Sequence, residues 1–123
     1  MSAVRILVVE DDPSVRGLLQ TLLEAEGYAV VTASDGLGGL GQAASSSPEL
    51  VLLDLVMPDL GGVRVLERLG DDPVLSQIPV IVVTGHEDAL SDVQSRLGAD
   101  NVFLKPFAVA ELLARIDAVT GGP

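Results

Sequence analysis

Leu50-Val51-Leu52-Leu53-Asp54-Leu55 decides the reading of this chain. The run has strand length and is apolar at successive positions, so it predicts a strand buried on both faces. Asp54, near its carboxyl end, is the single polar residue in it. Pro58-Asp59-Leu60-Gly61-Gly62 then supplies a turn, and Val63, Val65, Leu66 and Leu69 carry a short helix.

The same rhythm extends in both directions. Toward the N-terminus, Ile6 to Val9 is another short apolar run. Asp12-Pro13 opens a helix, with a carboxylate at the cap and proline at the first helical position. Val15, Leu18, Leu19, Leu22 and Leu23 continue it until Gly27 offers a left-handed stop. Ala29 to Ala33 reads as a strand, and Gly36 to Ser45 as a helix weakened by Gly36, Gly38, Gly39 and Gly41, each costing up to ~1 kcal/mol against alanine. Toward the C-terminus, Pro79 to Val83 is a strand and Glu87 to Leu97 a helix closed by Gly98. Val102 to Leu104 is a short strand broken by Lys105-Pro106, and Val109, Leu112, Leu113 and Ile116 mark a last helix. Strands apolar on both faces, alternating with helices, predict a doubly wound α/β sandwich with a parallel sheet. One domain over residues 1–120 is expected, with Gly121-Gly122-Pro123 as a frayed tail.

Composition narrows the function. Of the 123 residues 48% are hydrophobic and only 2% aromatic, so the core must be aliphatic. Lys+Arg 7 against Asp+Glu 18 gives a net charge of −11, which argues against direct nucleic-acid binding. The absence of cysteine excludes disulfides and thiolate metal sites. No apolar run reaches the ~18 residues of a membrane span, and Met1-Ser2-Ala3-Val4-Arg5 lacks a signal-peptide layout, so a cytoplasmic location is expected.

In an open parallel sheet, functional groups gather at the carboxyl ends of the strands. Here those ends carry Glu10-Asp11-Asp12, Asp54, Thr84 and Lys105. Taken singly, the acidic triplet can be a solvated turn and helix cap, which is the reading given to Asp12, and Thr84 can be structural. Asp54 is harder to dismiss, because a carboxylate inside an apolar run is costly unless paired. Lys105 is the chain's only lysine among six arginines, which points to a need for a compact point charge. Two like charges about 4 Å apart repel by roughly 4 kcal/mol at an effective dielectric of 20, so clustered carboxylates invite a hard cation such as Mg²⁺. With that cation present, Asp54 can serve as a nucleophile toward phosphorus while Lys105 and Thr84 hold the incoming anion.

Four segments in order extend this picture. They are Ile6 through Pro13, Leu53 through Gly62, Val83-Thr84-Gly85, and Gly98-Ala99-Asp100 through Lys105-Pro106-Phe107. Together they make the chain resemble a response-regulator receiver domain of two-component signalling over essentially its full length. The resemblance implies a flavodoxin-like sheet of order 2-1-3-4-5 with five helices on its two faces. It implies Glu10 and Asp11 as the acidic pair, Asp11 being the more direct metal ligand. Asp54 would be phosphoacceptor and metal ligand, and the backbone carbonyl of Val56 a third ligand to Mg²⁺. Thr84 would move inward onto the phosphoryl oxygen, Lys105 would pair with it, and the Lys105-Pro106 bond would be cis. Gly85 is small, as the family prefers beside the site. His86 would either flank the phosphate and tune its hydrolysis or be an exposed loop residue.

The chain departs from the family at three places. Val102 stands where an aromatic switch residue is usual, and Phe103 follows one place later, on the opposite face by strand alternation. The stretch from Thr84 to Lys105 is one residue short, which should shorten or twist the fourth helix near Arg96-Leu97-Gly98. The glycine-loaded second helix should be mobile. A phosphorylation-dependent switch follows as the expectation, fed by a histidine kinase or phosphotransfer protein and read out at the face of the fourth helix, fifth strand and fifth helix. It would be a signalling module, not an enzyme, either monomeric or weakly dimeric through that face, and acting on a downstream partner or a fused output domain. Two alternatives stand beside it. One is a pseudo-receiver that binds proteins constitutively. The other is an aspartate-nucleophile phosphohydrolase, disfavoured because Val56 occupies the place of its general acid.

Overall fold

The computed structural model describes residues 3–57, 59–85 and 90–123. β1 (Arg5–Val9), β2 (Ala29–Ala33), β3 (Leu50–Leu53), β4 (Val80–Thr84) and β5 (Val102–Leu104) form one sheet. Every pairing is parallel, and the order is β2-β1-β3-β4-β5, as expected for a doubly wound fold. The connecting helices are α1 (Pro13–Ala25), α2 (Gly36–Ser46), α3 (Gly62–Asp71), α4 (Leu90–Leu97) and α5 (Val109–Thr120).

Strand alternation sorts the core into two layers. Leu7, Val9, Val51, Leu53 and Val82 pack with Ala43, Val65, Leu66, Leu69 and Val93 of α2, α3 and α4. Ile6, Val8, Leu50, Leu52, Ile81 and Val83 pack with Leu19, Leu23, Leu112 and Ile116 of α1 and α5. Both faces of each central strand are therefore dry, which is why those strands read as unbroken apolar runs. Val102 sits on the first layer and Phe103 on the second, so the aromatic ring lies on the face opposite the valine, as alternation requires.

The glycines of α2 have a packing reason. A Cβ on Gly39 would lie 2.9 Å from Val9 Cγ2, and one on Gly36 would lie 2.5 Å from the carbonyl oxygen of Leu60. The helix comes this close to β1 and to the segment before α3 only because those side chains are missing.

Some boundaries differ from the sequence reading. β3 stops at Leu53 rather than Leu55, because β1 ends at Val9, whose carbonyl accepts the Asp54 N–H, and offers no strand partner beyond it. β4 runs one residue later than read, since Pro79 has no N–H to give the ladder and contributes only its carbonyl, to Val51. Two 3₁₀ turns, Leu75–Gln77 and Ala99–Asn101, were not foreseen. Ahead of the first, Asp72 Oδ1 accepts from the N–H groups of Val74 (2.8 Å) and Leu75 (3.0 Å). Glu87–Ala89, read as the start of α4, lie outside the described residues. The described part of α4 ends at Leu97, and Gly98 at φ 87° leads into the 3₁₀ turn before β5. Among the described residues no helix is long and apolar enough to cross a membrane.

Candidate functional site

Parallel register brings the strand tips together. Val9 lies opposite Leu53, so Glu10 and Asp54 leave adjacent strands side by side. Thr84 lies opposite Leu104, and its carbonyl accepts the Lys105 N–H at 2.8 Å. The sheet thus delivers Glu10, Asp11, Asp54, Thr84 and Lys105 to one edge.

Carboxylate oxygens of Glu10, Asp11 and Asp54 lie within 4.8 Å of one another. Glu10 and Asp54 are buried, at 2% and 6% exposure, while Asp11 is exposed. Lys105 Nζ donates to Glu10 Oε1 at 2.6 Å and to Asp54 Oδ2 at 3.4 Å, so one ammonium bridges two of the three acids. Glu10 Oε2 also accepts the Asp12 N–H at 3.2 Å, and Asp54 Oδ1 accepts the Val56 N–H at 3.3 Å. Burial raises the Glu10 carboxyl from 4.5 to about 7, and the Asp54 charge adds to this against the opposing bonds from Lys105 and Asp12. For Lys105, burial works to lower the ammonium's pKa. The hydrogen bond to Glu10 and the charge of Asp54 outweigh it, so the net shift is upward.

Three oxygen donors converging from two strand ends are the hard, anionic set that Mg²⁺ prefers. The Asp12 carboxylate takes no part in this cluster. Its Oδ1 accepts from Ser14 (2.8 Å) and Val15 (3.4 Å), the helix cap its Asp-Pro context predicts. Thr84 ends β4 fully buried. Gly85 follows it in an open position, where an added Cβ would meet no described atom within 4 Å. Val56 is 42% exposed beside Asp54, Val102 is half-buried, and the Lys105-Pro106 bond is cis as expected. His86 lies outside the described residues.

Two residues at this edge escaped the sequence reading. Asp59 reaches back to α2, accepting from the N–H groups of Gly36 and Leu37, each at 2.9 Å. Arg16 donates to the carbonyls of Glu10 and Asp11. Asp59 acts on backbone groups distant in sequence, and Arg16 on peptide carbonyls five and six residues back across the strand-to-helix turn, relations that no side-chain pattern announces. Gly62 is the third packing constraint. Its N–H bonds the Leu55 carbonyl at 2.9 Å, and a Cβ there would lie 2.5 Å from the Asp54 carbonyl oxygen. A groove of about 660 Å³ lies away from the acidic cluster, along β5 and α5 past Val102, Leu104, Phe107 and Glu111.

Comparison with known proteins agrees with this geometry. The response regulator receiver domain family matches residues 6–117, and the chain belongs to that family. It is 39% identical over 120 residues to the DNA-binding dual master transcriptional regulator RpaA of Synechocystis, covering 94% of this chain and 48% of that protein. It is 43% identical over 122 residues to the response regulator MprA of Mycobacterium tuberculosis, covering 95% of this chain and 50% of that one. The chain therefore spans about half the length of the curated relatives it matches. Among solved structures it is similar to the response regulator TrrA of Thermotoga maritima in complex with Mg(2+)-BeF. That match has a TM-score of 0.83 and 33% identity, covering 94% of this chain and 97% of that one.

Proposed function

We propose that this receiver domain takes a phosphoryl group onto Asp54 from a phosphohistidine on a histidine kinase or phosphotransfer protein, with Mg²⁺ held by Glu10, Asp11, Asp54 and the carbonyl of Val56. The observation that carries this reading is the convergence of three carboxylates and one ammonium at the sheet edge. When bound, the ion supplies charge neutralisation for the transferring group. Asp54 attacks the phosphorus, the bond to the histidine nitrogen breaks, and the product is an aspartyl phosphate. Lys105 then exchanges its carboxylate partners for a phosphoryl oxygen, a contact suited to a compact point charge. Thr84 gives its hydroxyl to a second phosphoryl oxygen.

The output face is α4, β5 and α5. Asn101 accepts from Arg115 Nε at 2.8 Å and donates to the Leu97 carbonyl at 2.7 Å, which ties α5 to the end of α4. A shift of Thr84, whose carbonyl holds Lys105, biases two arrangements of that linked face and so its affinity for a partner or a fused output domain. No metabolite is turned over, so the domain acts as a switch. Incubation with acetyl phosphate and Mg²⁺ tests the reading. Acid-labile phosphate should appear in the native chain, disappear on removal of Mg²⁺, and be lost in Asp54→Ala; labelling that persists in Asp54→Ala would overturn the assignment.

A further inference from the structure

The three acids of the cluster are not held equally. Glu10 is fixed by Lys105 and the Asp12 N–H, and Asp54 by Lys105 and the Val56 N–H. Among the described residues the Asp11 carboxylate accepts no hydrogen bond, so the direction it faces is set by its own backbone. The Glu10 N–H bonds the Ala33 carbonyl, the Asp12 N–H bonds Glu10 Oε2 and the Asp12 carbonyl accepts the Arg16 N–H, which leaves the Glu10 and Asp11 carbonyls to be held by a side chain. Arg16, half-buried on the second turn of α1, donates from the single nitrogen Nη1 to the Glu10 carbonyl at 2.9 Å and the Asp11 carbonyl at 3.2 Å. Arg16 is close to an acidic cluster, yet it forms none of the ion pairs found among the described residues. Its guanidinium is spent on two consecutive peptide carbonyls, and these fix the peptide planes on either side of the Asp11 Cα.

We propose that Arg16 is a positioning residue of the metal site, clamping the Glu10-Asp11-Asp12 backbone so that the Asp11 carboxylate faces Asp54. This rests on the Mg²⁺ reading given above. Charge and position predict opposite signs here. Removing a nearby cation lowers the electrostatic opposition to Mg²⁺, so a purely Coulombic role predicts tighter binding in a neutral variant. A clamp predicts weaker binding, because loss of partners that orient ligands costs about tenfold or more in metal affinity.

The test is calorimetric titration of Mg²⁺ into the full chain, with thermal unfolding of each variant alongside. Arg16→Gln should bind Mg²⁺ about tenfold more weakly than the native chain. Arg16→Lys keeps a cationic N–H donor on a somewhat shorter arm, and should bind Mg²⁺ more tightly than the glutamine variant though more weakly than the native chain. Arg16→Ala, a good helix former, replaces the glutamine variant should that one fail to unfold cooperatively. Neutral variants that bind Mg²⁺ as tightly as the native chain, or more tightly, overturn the clamp and leave the metal reading intact. So does a lysine variant as impaired as the neutral one. A native chain that does not bind Mg²⁺ overturns the metal reading and the clamp together.

Discussion

Glu10 is the residue on which the site's pH response turns. Its carboxyl is buried beside Asp54, and its affinity for a proton rises from 4.5 to about 7. The folded state then keeps a proton that the unfolded chain has released, so this group's contribution to stability is full below 4.5 and is lost as pH rises through about 7. Metal binding has the opposite demand, since the ligand must be ionised. Mg²⁺ should therefore bind about tenfold more tightly near pH 8 than near pH 6, with proton release, as calorimetry in buffers of different ionisation heat would show. Glu10→Gln should flatten that dependence, and equal affinities at the two pH values in the native chain would refute it. The acids and Lys105 were legible in the sequence because each follows an apolar strand, and the fold rule sends strand ends to one edge. Arg16 and Asp59 were not, because their partners are peptide groups, which carry no sequence signal, and those of Asp59 are brought near only by tertiary structure.

Helix α2 shows how far local propensity can be read. It was read over Gly36 to Ser45 and runs over Gly36–Ser46, yet its four glycines weakened the case for a helix. Packing resolves the conflict, because Gly36 and Gly39 sit where side chains would collide, whereas Gly41 faces open space. Gly41→Ala should stabilise the domain by up to about 1 kcal/mol through lowered backbone entropy, read as a higher urea midpoint. Gly39→Ala should lower the midpoint, since Val9 must move from a closely packed layer. If both changes stabilise, the close-packing account fails. The start of α2 is held by a device from another element. Asp59 bonds two of its free N–H groups, and the Leu37 bond does most to lower the carboxyl's pKa. Asp59→Ala should speed amide exchange at Gly36 and Leu37 while α5 exchanges as before. Unchanged exchange at those two amides would count against that link between α2 and the segment after Asp54.

Over the whole molecule, the site works against the fold that builds it. Two aliphatic layers on one sheet fix the strand register, and the register forces three carboxylates together in a chain that already carries a net charge of −11. Lys105 bridges Glu10 and Asp54 and leaves Asp11 uncompensated by any ion pair among the described residues. The metal-free domain should therefore gain stability when Asp11 is neutralised, by about 1 kcal/mol for an exposed charge within 4.8 Å of its neighbours in water-like dielectric. The native chain has a different remedy. An ion that binds only the folded form stabilises it by about 2.7 kcal/mol at a hundredfold excess over Kd, on the order of 10 °C in thermal midpoint for a domain of this size. The two effects should cross. Without Mg²⁺, Asp11→Asn should unfold a few degrees above the native chain, and with saturating Mg²⁺ it should unfold below it. Scanning calorimetry of both proteins with and without the ion reads this directly. A variant less stable than the native chain in chelator, or one that gains as much from Mg²⁺, would mean that Asp11 is neither the strained charge nor the ligand that the geometry makes it.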